Sequence, residues 1–178
     1  MRYRRTLVPG GTYFFTATLA DRHSRLLVER IDILRDAVSS IRARHPFRID
    51  AMVVLPDHAH AVWTLPAGDA DFPLRWALIK AAFSRAIEKT EHVSASRRAR
   101  AERGIWQRRY WEHLICDEDD LGRHVDYIHF NPVKHGYVQT PVEWAHSSIH
   151  HYVKKGQLPP DWAGNSGDIP ENGERDSW

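Results

Sequence analysis

The sequence predicts one α+β domain built on an antiparallel sheet, and three observations carry that prediction. Its 178 residues are enough for a single full core and short for two. Segments rich in β-branched and aromatic residues alternate along the chain with segments of helical apolar spacing. Two of the strand segments are separated only by Pro56-Asp57, a corner tight enough to make them a hairpin.

The elements follow in order. "GTYFFTATLA" (11–20) has the composition of a strand. Ile31, Leu34, Val38 and Ile41 recur at helical spacing, and Pro46 stops that helix. "FRIDAMVVL" and "HAHAVWTL" form the hairpin. Trp76, Ile79, Phe83 and Ile87 then make the apolar stripe of a second helix within "FPLRWALIKAAFSRAIEKT". "GIWQRRYWEHLI" reads as a further strand. "DEDDLGRHVDYIHFN" reads as a third helix with acids in its first turn, where the helix dipole favours them. Pro132 sets its end near Asn131. The order β-α-β-β-α-β plus a final helix is that of a ferredoxin-like fold.

Composition narrows the function. Cys116 is the only cysteine, which excludes an internal disulfide and a multi-cysteine zinc site and fits a reducing cytoplasm. No apolar run is long enough to cross a bilayer, and Pro9, Gly10 and Gly11 interrupt the basic start, so a cytoplasmic protein without a signal peptide is expected. The net charge of +2 conceals an asymmetry: residues 156–178 carry −4, leaving +6 on residues 1–155. The folded domain is therefore expected over 1–155, followed by an acidic, disordered tail that Trp162 and Trp178 can anchor. Basic residues cluster at Arg4 and Arg5 and again at Arg97, Arg98, Arg100, Arg103, Arg108 and Arg109, interleaved with Trp106, Tyr110 and Trp111. Phosphates and stacked bases suit such a surface, and a nucleic acid is the expected partner.

The segment "VVLPDHAHAVW" holds the sharpest chemical signal. Side chains alternate in a strand, so His58 and His60 share a face with Cα atoms about 7 Å apart. Two imidazoles so placed can grip one ion. On the third helix, His124, Tyr127 and Asn131 lie along one stripe, with Tyr127 and Asn131 one turn apart. Asp57 is read as a turn residue, and His124 and Lys134 as solvated side chains. The remaining histidines, His113, His129, His135, His146 and the pair His150-His151, show no partner at ligand spacing and are read as surface or phosphate-adjacent groups.

Together "LPDHAHAVW", "GIWQRRYWEHLI", "YIHFNPVKHGYV" and "WAHSSIHHYV" resemble, in order from about residue 9 to 153, the motifs of REP-associated tyrosine transposases, relatives of single-strand DNA transposases with a His-hydrophobic-His pair. Ala59 between the histidines is smaller than the usual bulky residue, and Asp57 stands where Asn is common. The resemblance implies that Tyr127 attacks a DNA phosphate to give a 5′-phosphotyrosine and a free 3′-OH. It further implies His58 and His60 as metal ligands, with Asn131 the third. Mg²⁺ or Mn²⁺ is the expected cofactor, and Zn²⁺ the alternative that two imidazoles allow. Implied substrates are repetitive extragenic palindromic hairpins with adjacent single-stranded DNA, contacted by Arg4, Arg5, Arg97, Arg98, Arg108, Arg109 and Lys134, with Trp106 or Trp111 as a stacking ring. Relatives include both monomers and homodimers. Two other readings stay open: a nucleic-acid-binding module on the same fold, and a metallonuclease that uses water.

Overall fold

The computed structural model describes residues 6–89, 93–100 and 103–163. Its elements run β1 (Thr12–Thr18), α1 (Leu26–Glu29), α2 (Ile31–Arg44), β2 (Arg48–Val54), β3 (His58–Thr64), α3 (Phe72–Ala86), α4 (Ala95–Arg98), β4 (Trp111–Leu114), α5 (Glu118–Lys134), a 3-10 turn (Pro141–Glu143) and α6 (Ile149–Lys154). The sheet has the order β2-β3-β1-β4 and every pair is antiparallel. This is the ferredoxin-like arrangement that the element order predicts.

Local chemistry explains the boundaries. Leu55 N–H donates to the His58 carbonyl at 2.8 Å, closing the two-residue turn at Pro56-Asp57. Asp71 caps α3 by accepting from Leu74 N–H, and Asp117 caps α5 by accepting from Asp120 N–H. Glu118, Asp119 and Asp120 fill the first turn of α5, where the dipole rewards acids.

Two boundaries differ from those expected. The strand after α3 is cut to four residues. Leu19 pairs with Trp106 and Thr16 with Trp111, so β1 advances three residues while its partner advances five. The chain around Arg108 and Arg109 therefore bulges from the ladder. In addition, α5 does not stop before Pro132; it carries that proline inside and runs to Lys134. Gly136, at φ 70°, ends it: Gly136 N–H returns to the Val133 carbonyl and Tyr137 N–H to that of Pro132. Pro132 removes one helical donor only in the last turn, where the loss is smallest.

The sheet is covered on both faces. Tyr13, Phe15, Ala17, Ala59, Ala61 and Trp63 point to α2 and α3, where Trp63 stacks on Trp76 with ring centroids 4.4 Å apart. Full burial of a side chain as large as Phe15 contributes roughly 1.5–3 kcal/mol. Phe14, Val53 and Val62 point the other way and meet Tyr127 and Ile128 of α5. The open edge of β2 is closed by the chain after α5, where Val54 N–H donates to His146 and Ser148 N–H to Met52. Tyr152 donates to the Asp50 carbonyl at 2.7 Å. Of the tail, Trp162 lies 5.9 Å from the His129 ring, while residues 164–178, Trp178 among them, fall outside the described residues. Among the described residues no helix is long and apolar enough to cross a membrane.

Candidate active site

The site is built on β3 and roofed by α5. His58 and His60 project to the α5 face, both buried, with ring centroids 4.9 Å apart. Each ring is oriented through Nδ1. His58 Nδ1 lies 2.8 Å from the Asp57 carboxylate and His60 Nδ1 lies 2.8 Å from the Thr16 hydroxyl on β1. Asp57 is held in turn by Arg22, whose Nε donates to the other carboxylate oxygen at 2.6 Å. His58 and Arg22 hold the Asp57 carboxyl below its ordinary range against the opposing effect of its burial. Asp57 thus orients a histidine in addition to shaping the turn. A carboxylate on Nδ1 fixes the tautomer that presents Nε2 as a ligand.

The residues fit a divalent ion. Among the described residues, Nε2 of His58 is buried with no hydrogen-bond partner, an arrangement that is costly unless something ligates it. Tyr127 comes to the same place from α5: its ring sits edge-on to His60 at 5.2 Å and edge-on to Phe14 at 5.9 Å. It is 3% exposed. Asn131 follows one turn later on the same helix, fully buried. Lys134 is exposed, and its ammonium stands 5.0 Å above the Tyr127 ring, so it is more than a solvated lysine.

Sequence reasoning missed His135. Its ring lies 5.1 Å from His58, because the helix passes Pro132 and extends the stripe of Tyr127 and Asn131 by another turn. That spacing of four was visible, but ending the helix at Asn131 hid it. His124 is not solvated either: it packs on Phe14 and hydrogen-bonds Asp120, as the more exposed His113 also does. His129 is fully buried and bonded to the Ser148 hydroxyl at 2.9 Å, and burial pushes its pKa down to about 4.

The basic surface divides into two roles. Arg98, Arg108 and Arg109 are exposed, on α4 and on the bulge beside β1. Arg97 is half-buried against the Trp106 carbonyl at 3.4 Å. Arg103 caps the C-terminus of α3, donating to Ser84, Ile87 at 2.8 Å and Glu88 at 2.6 Å. Trp106 is 8% exposed and packs against Phe83, so the ring expected to stack a base is a core side chain. Trp111, 40% exposed, is the open indole of this segment. Arg4 and Arg5 lie outside the described residues.

A ferredoxin-like sheet that presents a histidine pair to a helix-borne tyrosine defines a class: domains of this fold in which a tyrosine stands beside paired imidazoles. Comparison with known proteins narrows the class. No family model matches the chain. It is 44% identical over 173 residues to a REP-associated tyrosine transposase of Escherichia coli, covering 97% of this chain and 96% of that one. It is likewise 44% identical over 164 residues to a putative REP-associated tyrosine transposase of Haemophilus influenzae, covering 92% and 93%. A solved structure of a REP-associated tyrosine transposase bound to a REP hairpin superposes with a TM-score of 0.84 at 43% identity, covering 98% of each chain. The chain belongs to the REP-associated tyrosine transposase family.

Proposed function

We propose that this chain cuts and rejoins single-stranded DNA beside REP-type hairpins, with Tyr127 as the nucleophile. One observation carries the reading: the Tyr127 ring lies 5.2 Å from His60, on the face of the sheet where the histidine pair stands. The family relative bound to a REP hairpin supports the substrate class.

The chemistry asks four things of the residues. The Tyr127 oxygen forms a bond to phosphorus, the P–O3′ bond breaks, the phenol proton departs and the 3′ oxygen gains one. A phosphodiester replaces a phosphodiester, so the step reverses without an added energy source. An unperturbed phenol is only about 0.1% ionised at neutral pH, roughly 4 kcal/mol from full phenolate. The Lys134 ammonium above the ring favours negative charge developing there. His58 and His60 would hold a Mg²⁺ or Mn²⁺ ion, with Asn131 as a third ligand, while Asp57 and Thr16 keep the rings in register. When bound, such an ion polarises the phosphate and offsets charge on its oxygens. Because Tyr127 is buried in the free chain, the DNA strand must enter between α5 and β3, past Lys134 and His135. Arg98, Arg108 and Arg109 supply exposed charge for the backbone of the hairpin.

The test is covalent trapping. A REP-type hairpin oligonucleotide with single-stranded flanks, incubated with the protein and Mg²⁺ or Mn²⁺, is expected to give a protein-DNA adduct on a denaturing gel. Tyr127→Phe is expected to give none. Equal adduct from both proteins, or continued cleavage by the variant with water as nucleophile, sinks the assignment; tight hairpin binding with no cleavage under any metal marks a binding module instead.

A further inference from the structure

We propose that His113, Asp120 and His124 form a second metal site, separate from the histidine pair on β3, that takes Zn²⁺ and ties the short strand β4 to the start of α5. Among the described residues, these are the side chains whose ligand atoms gather within 4.8 Å of one another. Asp120 and His124 sit one helical turn apart on α5, and His113 faces them from β4. His113 Nε2 is 2.8 Å from one Asp120 oxygen and His124 Nδ1 is 3.1 Å from the other.

The donor set selects the ion. Two imidazoles and one carboxylate are the ligand types of zinc, with water for the fourth position. The side chains grade from buried to open: Asp120 is 8% exposed, His124 14% and His113 37%. An ion can therefore enter past His113 and keep a water. On binding, the ring nitrogens that face Asp120 become the ligand atoms, with each ring's proton on its other nitrogen: His113 exchanges its contact to the Asp120 carboxylate for a metal bond, and His124 exchanges its 2.8 Å contact to the Asp120 main-chain carbonyl. The Cys116 N–H, 3.0 Å from Asp120, remains to orient the carboxylate.

The location gives the site a consequence. His124 packs on Phe14 at 4.8 Å, and Phe14 in turn touches both His60 at 5.5 Å and Tyr127 at 5.9 Å. An ion clamping β4 to α5 thus stiffens the helix that carries the tyrosine, one turn before the tyrosine itself. Its role is structural.

The experiment removes the other site first. In the full chain carrying His58→Gln and His60→Gln, Co²⁺ is expected to bind once per chain, with the intense visible absorption of a low-coordinate Co²⁺ centre, and Zn²⁺ is expected to displace it and raise the melting temperature. Adding His113→Gln, which keeps a hydrogen bond to Asp120, is expected to weaken Co²⁺ on the order of 100-fold, at the upper end of what even an outer-shell loss costs. It should also abolish the Zn²⁺-dependent rise, with the circular dichroism unchanged. No Co²⁺ spectrum in the His58/His60 variant, or a spectrum that survives His113→Gln, overturns the proposal. Neither readout involves DNA, so its failure is separate from failure of the transferase reading.

Discussion

The two faces of the sheet are made by the same strands, yet they are opposites. Toward α2 and α3, β1 and β3 present Tyr13, Phe15, Ala17, Ala59, Ala61 and Trp63 to a closed aromatic core. Toward α5 the alternate positions of those strands present Phe14, Thr16, Thr18, His58 and His60. One face is filled by shape, and the other holds buried polar groups whose partners fix their orientation. Strand alternation lets each of these seven-residue strands serve stability and chemistry together, with little crosstalk between them. The positions that matter for folding and for reaction are interleaved one by one in the sequence.

Breaking the polar face should cost function first. Replacing both histidines, His58→Gln with His60→Gln, is expected to lower adduct formation by at least about 10³-fold, or about 4 kcal/mol, with the fold retained. Adduct yields within tenfold of wild type would detach the reaction from this pair. The converse break is Trp63→Ala on the apolar face, fully buried against Trp76. It is expected to destabilise by roughly 3–5 kcal/mol in urea unfolding while leaving adduct yield per folded molecule unchanged. A loss of chemistry larger than the loss of folded protein would show that the faces are coupled.

His129 sharpens the comparison, because it is polar and fully buried but belongs to neither core. Its pKa of about 4 lies below the 6.5 of an unfolded histidine, so the unfolded chain binds more protons between those values. Stability should therefore be fully present above pH 6.5 and fall by about 3 kcal/mol as pH drops to 4. Urea midpoints measured across that range check it; a His129→Gln variant should lose this part of the slope. The smallest effect expected is at the turn. Asp57→Ala should weaken metal binding at the pair by 10–100-fold, and Asp57→Asn, which still accepts from His58, should recover part of it. Equal affinities for all three proteins, measured by titration calorimetry, would reduce Asp57 to a turn residue.

Much of this was legible along the chain. The element order, the hairpin at Pro56-Asp57 and the shared face of His58 and His60 follow from periodicity and turn chemistry. The misreadings have specific causes. Pro132 has the sequence signature of a helix stop, but Gly136 with its left-handed φ is the true terminator, and the extra turn brings His135 to His58. Trp106 sits in a run of arginines that suggested a binding ring, while its pairing opposite Leu19 turns it into the core. His113 and His124 looked unpaired because their meeting point, Asp120, serves a strand and a helix at once.

The chain by itself determined what depends on neighbours a few positions away: which segments are strands or helices, where they turn, and which side chains share a face. Only the tertiary structure decided that α5 covers the histidine face, that Tyr127 stands over His60, and that Arg22 reaches Asp57 from 35 residues away. The reason is physical. Dihedral preferences and capping act within a turn or two, whereas the choice of face for a helix is set by which buried surfaces fit once the sheet exists.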